Sequence, residues 1–363
     1  MVVFLEGGFS IIEDGWILSV TLLENVLEVP SRRYFVASSF PLFDRLEDTT
    51  IFQGNFKRTR YFEGWYFKQA DKRSDVAISI IPGVSLTEGD RHAFIQVLDG
   101  VTGRAYYQRY PVEEFEPYIE PFRLRVGESE FSLSGVTVKI RDLGIEGSFS
   151  YSKLNMLKPK FGSRGIMGWY GYVPFMQTYH GLVSLDHCVS GSLSLQGEER
   201  VFNGARGYIE KDWGSSFPSS WVWLQSNCFD EEGVSLMVSI AVIPWLWSSF
   251  IGHIAIFLHK GVVYNLSTYD GGKISSFLIS NGVVNFIVES KNYILKIRAE
   301  GGNFAHLKSP IAGVMEGRTS ESLQGVVEAV FVNKSNNETI FSGLSKCSGL
   351  ELMDVRGELE KKL

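Results

Sequence analysis

The segment Ala205-Arg206-Gly207-Tyr208-Ile209-Glu210-Lys211-Asp212-Trp213-Gly214 sets two carboxylates among aromatic residues. Strand side chains alternate between faces, so Tyr208, Glu210 and Asp212 share one face and Ile209, Lys211 and Trp213 the other. By the same parity His180 goes with Leu182, and Glu63 goes with Tyr61, Trp65 and Phe67. A carboxyl buried on an aromatic face favours its neutral form and becomes a proton donor to whatever fills the pocket. The competing readings are structural. Glu63 could pair with Arg60 or Lys68, and Glu210 with Lys211 or Arg206. His180 could be a satisfied core histidine, and the tryptophans plain core. There is no GxGxxG after a strand, no P-loop, no HExxH and no GxSxG. Three cysteines, Cys188, Cys228 and Cys347, exclude a disulfide scaffold, and the lack of CxxC or HxxxH spacing argues against a structural zinc site. They read as reduced thiols of a cytoplasmic protein. His187, His253, His259 and His306 read as structural or surface residues.

The elements that must position these residues are strands. Val136, Val138 and Ile140 alternate with Thr137, Lys139 and Arg141, and Tyr293, Leu295 and Ile297 with Lys296 and Arg298. Turn pairs such as Gln196-Gly197, Lys260-Gly261 and Asn281-Gly282 separate the runs, as in an antiparallel meander. No long stretch has helical periodicity, so the chain reads as all-β, with closure of the sheets removing their edges. Glu63-Gly64-Trp65-Tyr66-Phe67-Lys68 is weakly echoed by Trp221-Val222-Trp223-Leu224-Gln225. The expected organisation is an N-terminal extension over 1–51 and two β-barrel domains, 52–218 and 219–363. Residues 152–176, with four glycines, read as a lid or binding loop. Val234 to Leu258 carries no Lys, Arg, Asp or Glu, but β-branched pieces on either side of Pro244-Trp245-Leu246-Trp247 fit two strands better than a membrane helix. The first residues lack the basic start of a signal peptide. With 363 residues and a net charge of −6, a substantial core is expected and a dedicated nucleic-acid binder is not.

Three segments, FQGNFKRTRYFEGWYFK, MGWYGYVPFMQTYHGLVSLDH and GYIEKDWGSSFPSSWVWLQSN, together with ESLQGVVEAVFVNK and GLELMDVRGELE, resemble the tocopherol cyclase family over residues 52 to about 360. That family is similar to carotenoid hydratases and AttH-like proteins built from two lipocalin-like barrels, so the resemblance implies paired calycin barrels in tandem. It implies cofactor- and metal-free chemistry. A prenylated quinol is protonated at the first tail double bond, and the phenol oxygen traps the tertiary cation to close a chromanol ring. In this sequence the resemblance makes Glu210 the general acid, Tyr208 its relay, and His180 the acceptor of the phenolic proton or holder of the quinol oxygen. Glu63, Trp65, Trp169, Asp212, Trp213, Trp221, Trp223 and Gln225 become substrate-binding, with indole faces stabilising the cation. Where the family commonly reads E-K-N-W-G, this chain has Asp212, a second carboxylate that either raises the coupled pKa of Glu210 or caps the site from the solvent side. The same machinery with water admitted is a hydratase, without a functioning acid it is a carrier of a hydrophobic ligand, and a pocketless structural member is the third reading. An isoprenoid quinol resides in membranes, so the chain is expected in the cytoplasm, touching a membrane peripherally through Trp245 and Trp247. The alternatives for that loop are folding over a barrel mouth or contact in a homodimer.

Overall fold

The computed structural model describes residues 2–5, 8–13, 16–21, 48–55, 59–119, 121–157, 162–354 and 356–363. Residues 1–41 form one compact unit and residues 42–363 another. The described part of the first unit is an antiparallel three-stranded sheet, β1 (Val2–Leu5), β2 (Gly8–Glu13) and β3 (Trp16–Thr21), in a stretch for which the sequence suggested no elements.

The larger unit contains two long antiparallel sheets. The first comprises β4 (Phe62–Asp71), β5 (Val76–Ser85), β6 (His92–Asp99), β7 (Arg104–Tyr110), β8 (Phe115–Tyr118), β9 (Arg123–Val126), β10 (Ser129–Ser132), β11 (Gly135–Ile140), β12 (Ile145–Ser152), β13 (Thr178–Leu195) and β14 (Glu198–Gly214). The second comprises β15 (Trp221–Ser226), β16 (Ser235–Trp245), β17 (Ser248–His259), β18 (Val262–Asn265), β19 (Lys273–Ser280), β20 (Val283–Glu289), β21 (Tyr293–Glu300), β22 (Phe304–Ile311), β23 (Val314–Asn333) and β24 (Glu338–Met353). Strand order is 7-6-5-4-14-13-12-11-10-9-8 in the first and 18-17-16-15-24-23-21-20-19 in the second, where β22 also pairs with β23. In both, the opening strand lies between the strand that follows it and the last strand of its own sheet. That shared plan is the structural content of the echo between GWYFK on β4 and WVWLQ on β15.

Each sheet rolls around its own core. Ile95 and Val97 near one end of the first sheet share a hydrophobic cluster with Phe115, Leu124 and Val126 at the other end, which requires the sheet to curl barrel-like. Trp65, Phe67 and Phe131 fill that interior. Phe257, Phe286, Phe331 and Phe341 fill the second. Two-residue turns set the registers: Asn281 and Gly282 both have positive φ, the conformation that matches strand twist in a tight hairpin.

A third cluster lies between the sheets and includes Tyr66 and Tyr208 from the first and Trp221, Trp223, Met237 and Ala241 from the second. Side chains of alternate parity on β4 and β14 point there rather than into the first core. The charge-free stretch Val234 to Leu258 spans most of the β16–β17 hairpin, with a two-residue turn at Leu246-Trp247. No helix among the described residues is long and apolar enough to cross a membrane.

Candidate active site

Register brings the polar residues together. On β14, Glu210 lies opposite Tyr66 of β4 and Leu182 of β13, and Asp212 lies opposite Gly64 and His180. Glu210, Asp212 and His180 therefore share the face that looks toward the second sheet. There they line a cavity of about 190 Å³, whose far wall carries Trp221, Trp223, Glu321 and Glu351. The site is thus between the two rolled sheets, not inside either, because both interiors are filled by aromatic side chains. Met167 and Tyr170 of the segment Gly165–Tyr172, with Met176, cover one side, where the sequence suggested a lid or binding loop. Gly168 within that cover has φ +60, and a Cβ there would collide with the Tyr269 ring.

His180 is held between two carboxylates. Its Nε2 lies 3.0 Å from Glu210 Oε2 and its Nδ1 lies 2.9 Å from Asp212 Oδ1. Burial pulls the imidazole pKa down, but the charges and hydrogen bonds of Asp212 and Glu210 outweigh it and raise the pKa well above the ordinary histidine value. With a carboxyl within hydrogen-bond distance of each nitrogen, the geometry favours an imidazolium donating from both, which leaves no lone pair for a substrate proton. Glu210 Oε2 also accepts from Tyr208 Oη at 2.6 Å and Trp223 Nε1 at 3.2 Å. All three bonds use one oxygen.

Glu321, which is buried, and Glu351, which is half-buried, line the same cavity; the sequence reading did not single them out. They are cross-strand partners on β23 and β24, in a row with Trp223 on β15 and Ser239 on β16. Glu321 Oε1 accepts from Tyr66 Oη at 2.5 Å, and Glu351 Oε2 from Trp221 Nε1 at 2.6 Å. Each sheet thus supplies an aromatic donor to a carboxyl of the other: Tyr66 to Glu321, Trp223 to Glu210. Burial raises Glu321 to about 8, against lowering by the Tyr66 bond and the Lys68 charge. Burial and the neighbouring Glu321 raise Glu351 well above the carboxylate range.

The remaining sequence-derived site residues lie elsewhere. Tyr208 sits fully buried behind Glu210, off the cavity wall. Glu63 and Trp65 point into the first core, where Glu63 Oε1 meets Lys211 Nζ at 2.6 Å, both side chains fully buried. The structural reading of Glu63 named Arg60 or Lys68 as partner; the partner is Lys211, because odd positions of β4 and β14 share the inward face. Trp213 stacks on Tyr179 with ring centroids 5.5 Å apart and planes at 9°, also in that core. Trp169 stacks on Tyr170 and is exposed on the outside of the cover. Gln225 is buried between the sheets and accepts from Lys68 Nζ at 2.8 Å. Of the tryptophans expected around a substrate, Trp221 and Trp223 reach the cavity. Trp245, expected at a membrane, packs against Trp169, Tyr170, Phe175 and Phe250, while Trp247 is 98% exposed. His187 is buried against Tyr151, and burial lowers it to about 3, consistent with a structural role.

The family model described as tocopherol cyclase-like matches residues 155–353, from the loop after β12 to the end of β24. The chain belongs to this family. The match holds Glu210, His180, Asp212, Glu321 and Glu351, whereas Glu63-Gly64-Trp65-Tyr66-Phe67-Lys68 lies outside it. Among individual relatives, a chloroplastic "Probable tocopherol cyclase" of Oryza sativa subsp. japonica is 28% identical over 146 residues, 36% of this chain and 29% of the relative. A chloroplastic tocopherol cyclase of Zea mays is 34% identical over 73 residues, 20% of this chain and 15% of the relative. The chain thus matches under a third of the length of these relatives. Among solved structures, an AttH-type protein of Nitrosomonas europaea aligns at 14% identity and a TM-score of 0.45, covering 81% of this chain and 92% of that one. Kievitone hydratase of Nectria haematococca aligns at 11% identity and 0.45, covering 80% and 88%.

Proposed function

We propose that the inter-sheet cavity binds a prenylated quinol and closes it to a chromanol by acid-initiated cyclisation. A cavity carboxyl gives its proton to the less substituted carbon of the first tail double bond. The phenol oxygen then bonds to the tertiary cation, and the phenolic proton leaves, so product and substrate are isomers. The observation that carries the reading is the Asp212–His180–Glu210 row, set beside Trp221 and Trp223 in a largely apolar cavity whose far wall adds Glu321 and Glu351.

The row has the parts of a proton relay. Asp212, the less buried carboxylate, takes the phenolic proton. His180, already protonated, passes its Nε2 proton to Glu210 and is restored at Nδ1 from Asp212. This replaces the sequence expectation that His180 itself accepts the proton, since both its nitrogens are occupied. Tyr208 and Trp223, both donating to Glu210 Oε2, fix the orientation of the carboxyl toward His180. Indole faces of Trp221 and Trp223 contribute about 0.5–2 kcal/mol each to a nearby cation, and exclusion of water keeps the cation from being hydrated. Membership of a tocopherol cyclase-like family supports the substrate class.

The test is incubation of the purified protein with a prenylated hydroquinone in detergent micelles under reducing conditions, followed by mass analysis. Cyclisation yields a chromanol isobaric with the substrate. A product heavier by one water makes the protein a hydratase, and unchanged quinol retained through gel filtration makes it a carrier.

A further inference from the structure

The relay just described ends on Glu210 and leaves open which carboxyl starts the reaction. We propose that Glu351, positioned by its cross-strand partner Glu321, is the group that protonates the substrate double bond. The proposal rests on the cyclisation reading and assigns a residue within it.

Both carboxyls line the cavity; Glu321 is buried and Glu351 is half-buried. Adjacent strands hold them side by side, and among the described residues neither forms an ion pair. Two carboxylates so placed cannot both ionise without a counter-charge. Among the described residues, the cation whose charge acts on Glu321 is Lys68, whose ammonium donates to Gln225 and whose pKa burial lowers. Among the described residues each carboxyl accepts a single aromatic donor, on one oxygen. Glu210 differs, with an imidazolium and two further donors already on one oxygen. One wall therefore holds protons and the other is built to receive them. In the step, the Glu351 O–H bond breaks as the C–H bond forms. The phenol oxygen closes the ring, and its proton enters the Asp212–His180–Glu210 row. Exchange with bulk water on product release returns the row and the pair to their starting protonation.

The groups around the pair are Tyr66 and Lys68 on β4, Glu210 and Asp212 on β14, His180 on β13, His253 on β17 and Lys308 on β22. A donor must be protonated, so turnover falls as pH rises through its pKa. Glu351→Gln is expected to lower kcat about 100-fold or more, the low end for loss of a general acid, while quinol binding and melting temperature stay near wild type. Glu351→Asp restores part of the rate. Glu321→Gln removes a like charge and moves the alkaline limb of kcat to lower pH. Independently of substrate, the infrared C=O band of protonated carboxyls at neutral pH is expected in the wild type. It shrinks in either single Gln variant and is lost in the double variant. A Glu351→Gln protein with kcat within about threefold of wild type, or a wild type without that band, overturns the assignment. If Glu210→Gln is then inactive, Glu210 is the donor and the cyclisation reading stands. A wild type that converts no prenylated quinol overturns the reading and the assignment together.

Discussion

Glu63→Gln should destabilise the protein without altering its chemistry. Glu63 and Lys211 are fully buried and 2.6 Å apart. Glu63 accepts further hydrogen bonds from Tyr61 Oη at 2.6 Å and from the Gln53 backbone N–H at 3.0 Å to each oxygen. Lys211 lies 4.8 Å from the ring centroids of both Trp65 and Trp213, and donates to the Ile51 carbonyl. Removing one partner of such a pair leaves an uncompensated buried charge, at a cost of about 3–5 kcal/mol. At about 2 °C per kcal/mol for a unit of this size, that is a drop of about 6–10 °C in melting temperature. Burial already pulls the Lys211 ammonium down, and the Glu63 charge opposes it. Without Glu63 the folded-state pKa falls further below the unfolded value, so the unfolded chain binds more protons. The stability deficit then shrinks as pH rises from neutral through the folded-state range of the Lys211 ammonium. Calorimetric melts across pH measure this, and Glu63→Gln/Lys211→Met should recover most of the loss. A single variant melting within about 2 °C of wild type, well under 3 kcal/mol, would refute the reasoning. So would a double variant no more stable than the single one, or a selective loss of quinol affinity in a fully folded Glu63→Gln protein.

Three further outcomes follow from the same geometry. Trp223→Phe keeps a ring in the cavity wall but removes the indole donor to Glu210; steady-state kinetics should show a fall of about 10-fold or more in kcat, matching about 1.5–3 kcal/mol for a hydrogen bond to a charged group, with melting temperature little changed. Gly168→Ala should loosen the cover by forcing a methyl group against the Tyr269 ring, seen as faster proteolysis near residue 168 and a higher KM with the β-sheet melt unchanged. Trp247→Ala should weaken co-sedimentation with liposomes, because Leu246 and Trp247 form the exposed tip of the β16–β17 hairpin beside the aromatic cover; equal partitioning of variant and wild type would assign that tip to packing or to a homodimer.

Much of the site could be read from alternation alone. The parity of β14 placed Tyr208, Glu210 and Asp212 on one face, and parity on β13 placed His180 toward them. The same rule put Glu63, Trp65 and Trp213 on shared faces but could not say which face looked into a filled core and which toward a cavity. That depends on the docking of two rolled sheets, to which sequence period is blind. Glu321 and Glu351 escaped for a related reason. Their pairing crosses irregular register on β23 and β24, with shifts between Ser322 and Gly325 and between Gly325 and Val327. A cue did exist in Leu350-Glu351-Leu352-Met353: Glu351 shares its face with Met353, the same carboxyl-on-an-apolar-face pattern that marked Glu210. The hairpin across the charge-free stretch was legible because β-branched runs of strand length flank a turn, whereas the strands within residues 1–41 have no comparable period.

The central claim is that a carbon of an isoprenoid tail is protonated in this cavity. Its most direct test is turnover of a prenylated hydroquinone in deuterium oxide, followed by mass and NMR analysis of the product. The account predicts a chromanol carrying a single non-exchangeable deuterium, on the tail carbon next to the one bonded to the ring oxygen. A chromanol formed by the protein with no deuterium on carbon would contradict it.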